Sequence, residues 1–294
     1  MIKVYNKKLK NYEIEKVAGD GFLKVLYGNA MGRVGLELLV KRKFYSHLTG
    51  ILCDTRISSK NIASFVKNFD IDMSTSPIKI GEFKSFNDFF TRKLTKNARP
   101  FSEDPNLLLS PGDGRLKAWE QIDMDKVLQV KGLTYSLKEL LSDANLASKY
   151  QEGTCVLLRL APVDYHRFHF IDDGVCSDSK KIGGHYYSVN PVALNAIPKV
   201  FCLNKREFSL FSSKNFGDIL YMEVGATSVG SIVQTYKVGE DIKRGDEKGY
   251  FKFGGSTVIL FLEKGVVHID SEILNQTEMG YETRILVGEA IGTR

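Results

Sequence analysis

The run Val258-Ile259-Leu260-Phe261-Leu262 constrains this chain more than any other segment. It has strand length, it does not alternate, and it leaves no polar face, so it predicts a strand buried on both sides. Phe253-Gly254-Gly255-Ser256-Thr257 leads straight into it. Two glycines bring the backbone to an exposed hydroxyl, and the buried strand then holds that hydroxyl in place. Three roles are open to Ser256: a loop residue, a hydrolase nucleophile, or a residue that attacks its own preceding peptide bond.

The 294 residues suffice for one large domain or two small ones with a sizeable core. Cys53, Cys155, Cys176 and Cys202 are widely spaced and form no CxxC, which predicts reduced thiols in an intracellular protein. No signal peptide and no membrane-spanning apolar run is evident. The net charge of +6 is uneven: residues 1–67 carry thirteen Lys and Arg against five Asp and Glu, a balance of +8, so the remainder stands at −2.

Leu23, Leu26, Tyr27, Ala30, Met31, Val34 and Leu38 recur at helical spacing, ahead of Lys41-Arg42-Lys43. The stripe reads either as a helix packed on its own domain or as a basic amphipathic helix lying on anionic lipid. No nucleic-acid-binding motif accompanies the basicity. Residues 1–67 are therefore expected to be a basic helical membrane-association segment and 68–294 a catalytic domain.

Short helices are expected at Ser59–Lys67, at Ser85–Leu94 and after Ser136. Ser85/Asp88 and Ser136/Glu139 have capping-box spacing. Beyond residue 150, Thr154–Leu160, Ile219–Val224, Ser231–Tyr236 and Thr257–Glu263 read as strands between glycines. The expected fold is α+β: a β-rich sandwich or partly open barrel core with N-terminal amphipathic helices. The charged stretch Gly239–Gly249 reads as a solvated loop.

Three local contexts stand out as chemistry. Asp113 lies in Gly112-Asp113-Gly114, where Asp more often serves only the turn. His166 and His169 lie in Asp164-Tyr165-His166-Arg167-Phe168-His169, without the glutamate or cysteine of a familiar zinc motif. Ser256 lacks the GxSxG elbow of α/β-hydrolases.

Taken in order, Phe89–Leu94 with Ala98-Arg99-Pro100, Ser110–Gly114, Leu160–His169, Tyr187–Pro191, Val224–Ile232 and Phe253–Thr257 resemble the phosphatidylserine decarboxylase proenzymes over nearly the whole chain. The family usually has Ala where Gly112 stands, and often a leucine or valine where Gly254 stands; neither departure removes a reacting group.

The resemblance implies a self-cleaving precursor. Ser256 would attack the Gly255 carbonyl, His169 would accept its proton, and Asp113 would orient and stabilise the imidazolium. Cleavage would give a beta chain 1–255 and an alpha chain 256–294 that begins with a pyruvoyl cofactor made from Ser256. That ketone would form a Schiff base with phosphatidylserine and accept electrons as carbon dioxide leaves. His166 would act at the substrate stage. The implied setting is peripheral, on the cytoplasmic side of the cell membrane, against anionic lipid, with no metal; a homodimer is compatible with it. Two other classes keep one intact chain: a serine hydrolase using the same Asp-His-Ser set, and a non-enzymatic membrane-binding β-sandwich.

Overall fold

A computed structural model describes residues 2–16, 43–130, 133–226 and 232–294. The fold is α+β around one open eleven-stranded sheet. From edge to edge, ten strands run Asp241–Ile242, Gly174–Cys176, Arg206–Ser213, Gly217–Gly225, Ser256–Leu262, Thr154–Leu160, Gly114–Trp119, Glu282–Ile285, Lys3–Asn6 and Asn11–Ile14. Lys180–Ile182 pairs off Arg206–Ser213. Neighbours are antiparallel, except that Lys3–Asn6 runs parallel to Glu282–Ile285.

Ser256–Leu262 occupies the centre and is buried along its whole length, as its unbroken apolar run requires. Alternate residues point to opposite faces. Val258, Leu260 and Leu262 join Val156, Leu158, Leu160, Ile219 and Tyr221 in one core cluster. Ile259 and Phe261 join Cys155, Leu157, Leu220, Met222 and Val224 in the other. Each such side chain contributes roughly 1.5–3 kcal/mol of burial. The strand therefore clamps two cores together, and Ser256 at its first position inherits that rigidity.

The N-terminal part differs from the sequence expectation. Residues 3–14, placed in a helical membrane segment, are two strands of the main sheet. Buried charges tie the segment after them down: Glu15 lies 2.8 Å from Arg159 and 2.9 Å from Arg115, and Arg159 also pairs with Glu282. The Leu23–Leu38 stripe lies outside the described residues. Beyond it come a helix at Lys43–Asp54, a 3-10 turn at Arg56–Asn61 and a helix at Ile62–Phe69. This helical part packs through a cluster of Ile62, Phe83, Phe86, Phe89 and Phe90, which Phe253 joins from beside the glycine pair.

Local signals hold where hydrogen bonds are short-range. Ser85 caps Phe86–Phe90 by accepting from the Asp88 amide, though the helix stops well short of Leu94. Ser136 and Glu139 cap each other's backbone ahead of Leu137–Leu141. The four cysteines are free. Gly239–Gly249 is not simply a solvated loop. It contains the strand Asp241–Ile242 and enters Glu247–Phe251, which pairs with Arg167–His169 and Ile232–Gln234 in a separate small sheet. Lys248 sits at a register shift in that pairing and is fully buried.

Candidate active site

Ser256 lies across from Gly225 on one neighbouring strand and Leu160 on the other. Its side chain is fully buried, not exposed as its glycine-rich approach suggested. After Leu160 the chain turns: the Asp164 amide donates to Ala161 O, and Asp164 Oδ2 accepts from the Ala161 amide at 2.7 Å. Arg115 holds Asp164 in place. That turn delivers His166, whose ring stacks on Phe90 at 3.9 Å between centroids.

His166 Nε2 lies 3.0 Å from Ala161 O, and Nδ1 lies 3.5 Å from Ser256 Oγ. A carbonyl can only accept, so Nε2 carries the proton and Nδ1 offers its lone pair to the serine. Burial pushes the His166 pKa down to about 3, and the positive charges of Arg92 and Arg115 act in the same direction. The imidazole facing Ser256 is therefore neutral at physiological pH.

His169 is placed differently. Its Nδ1 donates to Gly245 O at 2.9 Å, and its Nε2 accepts from the Tyr165 hydroxyl at 3.2 Å. Its amide donates to Pro111 O, which docks it against the Asp113 turn. Burial lowers its pKa, while the charges of Glu247 and Asp113 oppose that shift. Asp113 accepts from Arg99 Nη2 at 2.6 Å and from the Val287 amide at 2.8 Å. The four expected residues thus form two adjoining pairs. Ser256 meets His166; Asp113 lies within electrostatic reach of His169; no hydrogen bond joins Asp113 to His169 or His169 to Ser256.

The glycine pair divides its duties. Gly254 holds φ at +139°, a conformation that L side chains rarely adopt. Gly255 has no such need: a Cβ there would meet Val189 Cγ2 at an ordinary 3.4 Å. Asn87 steadies the approach from the other side. Its Oδ1 accepts from the Phe253 amide and its Nδ2 donates to Asp54. Among the described residues no group of three or more His, Cys, Asp or Glu is placed to hold a metal ion.

Several contributors escaped sequence reasoning. Phe90 and Arg99 stand in motifs quoted above, but nothing local says that one packs on His166 and the other on Asp113. Tyr165 is adjacent to a candidate, but its sequence position does not show that its hydroxyl meets His169. Asn87 carried no signal, because its partners lie 33 and 166 residues away.

Comparison with known proteins matches the sequence of this chain to one family. The phosphatidylserine decarboxylase family model matches residues 86–293. A phosphatidylserine decarboxylase proenzyme of Ruminiclostridium cellulolyticum is 59% identical over 99% of this chain and 97% of its own. Proenzymes of the same description from Clostridium novyi and Clostridium beijerinckii are 58% and 56% identical, each over 100% of this chain and over 100% and 99% of their own. The chain belongs to the phosphatidylserine decarboxylase family, a family of carboxy-lyases.

Proposed function

We propose that this chain cuts itself between Gly255 and Ser256 and so becomes a decarboxylase that converts phosphatidylserine to phosphatidylethanolamine and carbon dioxide. The observation that carries the reading is a buried serine hydroxyl, next to a glycine pair of which Gly254 holds φ at +139°, facing an imidazole lone pair in a chain of this family.

In the self-cleavage, Ser256 Oγ bonds to the Gly255 carbonyl carbon, its proton passes to a histidine, and the amide becomes an ester. Loss of the Ser256 α-proton then breaks the bond to Oγ and releases Gly255 as a carboxylate. Water enters, ammonia leaves, and a pyruvoyl group remains at the new N-terminus. The site fits that group: Ser256 is fixed by its strand partners and fully buried, and Phe90 packs on the His166 ring that faces it. The group supplies a ketone that takes up an amine and holds the electron pair released with carbon dioxide. His166, which faces Ser256 in the uncut chain, is assigned delivery of the proton at the substrate carbon, a role that requires the anionic substrate to raise its basicity above the low value burial gives it.

Two assignments of the first proton transfer compete. Basicity favours His169, because Asp113 and Glu247 support its imidazolium, whereas His166 is buried and has arginines for neighbours. Proximity favours His166, which alone touches Ser256. We assign self-cleavage to Asp113, His169 and Ser256. An acceptor must be able to hold the proton, and this assignment requires His169 Nε2 to leave the Tyr165 hydroxyl and turn to Ser256.

Peripheral membrane binding is part of the same proposal. It is supported by the +8 charge of residues 1–67 and by exposed Leu48, Ile51, Leu52 and Ile57 on the N-terminal helical part. Among the described residues no helix is long and apolar enough to cross a membrane. Vesicle binding that rises with anionic lipid and falls with salt is expected.

Intact mass of the purified protein under denaturing conditions tests the central claim. Two chains are expected, 1–255 and a 256–294 fragment that resists Edman sequencing. A single full-length species from active protein would overturn it.

A further inference from the structure

Among the described residues Arg92 is a buried cation without a counterion. Its side chain is only 7% exposed, and its Nε has no hydrogen-bond partner. Among the described residues its one hydrogen bond is a long one, 3.4 Å from Nη1 to Phe89 O, and its guanidinium otherwise lies over the Phe89 ring. Burying an unpaired charge is costly unless something pairs with it. The carboxylates closest in effect, Asp113 and Asp164, are already committed to Arg99 and Arg115.

Arg92 lines a cavity of about 160 Å³ together with Arg99, Arg115, Asp113, Asp164 and Tyr165. Of the catalytic candidates Asp113 stands in its wall, and Asp70, Asp72 and Arg284 also line it. Arg92 follows directly on the helix whose Phe90 stacks against His166, and its charge is felt at that imidazole. A planar guanidinium with free donors, buried beside a reaction centre and facing a small cavity, is suited to an oxyanion.

We infer that Arg92 binds the phosphodiester of the lipid headgroup and so positions the serine head at Ser256 and His166. This rests on the decarboxylase reading for the identity of the lipid, though not for the existence of the anion site. The phosphodiester is a better fit than the substrate carboxylate. A carboxylate held by Arg92 would be stabilised before it is lost and not in the transition state, which slows decarboxylation. A phosphodiester keeps its charge from substrate to product, so the pairing orients without opposing the chemistry.

The test uses the uncut Ser256→Ala full chain, so that binding is read without catalysis. Glycerophosphoserine, glycerophosphoethanolamine, inorganic phosphate and free serine are titrated by calorimetry. Both glycerophosphodiesters are expected to bind, and Arg92→Gln should weaken them about ten- to a hundredfold while Arg92→Lys retains part of the affinity. Thermal melting of each variant identifies a fold that has failed, and the Arg92→Lys arm then carries the comparison. Affinity for the diesters that is unchanged in Arg92→Gln, or absent in the parent, overturns the inference. Binding of free serine and glycerophosphoserine alike, without glycerophosphoethanolamine, assigns Arg92 to the carboxylate and overturns it too. Binding only of inorganic phosphate rejects the headgroup. In the matured enzyme Arg92→Gln should raise KM for phosphatidylserine by a similar factor with cleavage at Gly255–Ser256 complete. A wild-type chain that binds the diesters but releases no carbon dioxide would sink the decarboxylase reading and leave the anion site standing.

Discussion

Ser256 Oγ lies 3.5 Å from His166 Nδ1, the nitrogen left without a proton because Ala161 O engages the other. The contact joins the first residue of the central strand to the turn that follows its neighbour strand, and the proposed roles of both histidines are judged against it.

The first prediction separates those histidines. His169→Ala and Asp113→Ala should leave the precursor uncut. His166→Ala should give two chains yet lose about 100-fold or more in carbon dioxide release, the scale of a lost acid–base group. Mass of the purified variants and turnover on phosphatidylserine are the readouts. An uncut His166→Ala beside a normally matured His169→Ala would transfer the first proton step to His166.

A second prediction concerns acid. His166 stays neutral in the folded chain down to about pH 3, whereas in the unfolded chain it gains a proton below its ordinary value of 6.5. Between those values the unfolded state binds more protons, so stability falls as pH falls. His169, also lowered by burial, acts in the same direction. Each contributes a slope of up to about 1.4 kcal/mol per pH unit. Urea midpoints of Ser256→Ala at about pH 7 and about pH 5 measure it, and adding His166→Asn should flatten the slope. An unchanged slope in that variant would show that burial does not hold His166 neutral.

The third prediction turns on backbone conformation. Gly254→Ala forces a side chain into φ near +139° and should cost ~1–3 kcal/mol while slowing cleavage. Gly255→Ala meets only an ordinary contact with Val189, so its effect on folding should be smaller. Melting temperatures of both, in the Ser256→Ala background, decide the order. If Gly255→Ala melts lower, steric room at the scissile residue has been misjudged.

A fourth prediction addresses Lys248 and Glu223, a pair with no exposure on either side, linked at 2.8 Å and capped by Gln234. Tyr221 and Tyr236 lie about the ammonium at 4.9 and 5.0 Å. Lys248→Met strands a buried carboxylate and should cost roughly 3–5 kcal/mol. Adding Glu223→Gln should recover much of that loss, as read in a double-mutant cycle of denaturant midpoints. Additive costs would deny the coupling.

What the sequence determined by itself is local or categorical. The unbroken run after Ser256 reads as a doubly buried strand, and Ser85 and Ser136 announce their caps, because those signals act over a few residues. Motif order carried the family, and with it Asp113, His166, His169 and Ser256 as a set. Tertiary structure alone decided how the set is arranged. Which histidine faces the serine depends on the turn at Ala161–Asp164 and its anchor on Arg115. The residue needing glycine's freedom is Gly254, set by how the chain enters the sheet. The N-terminal residues are strands because Lys3–Asn6 pairs with Glu282–Ile285 from the other end of the chain, with Glu15 anchored on Arg159 across 144 positions. Lys248 reads as one charge among many in a charged loop until Glu223, 25 residues away, is seen to neutralise it in the core. Contacts at such separations are settled by packing the whole chain at once, and no window of sequence contains both partners.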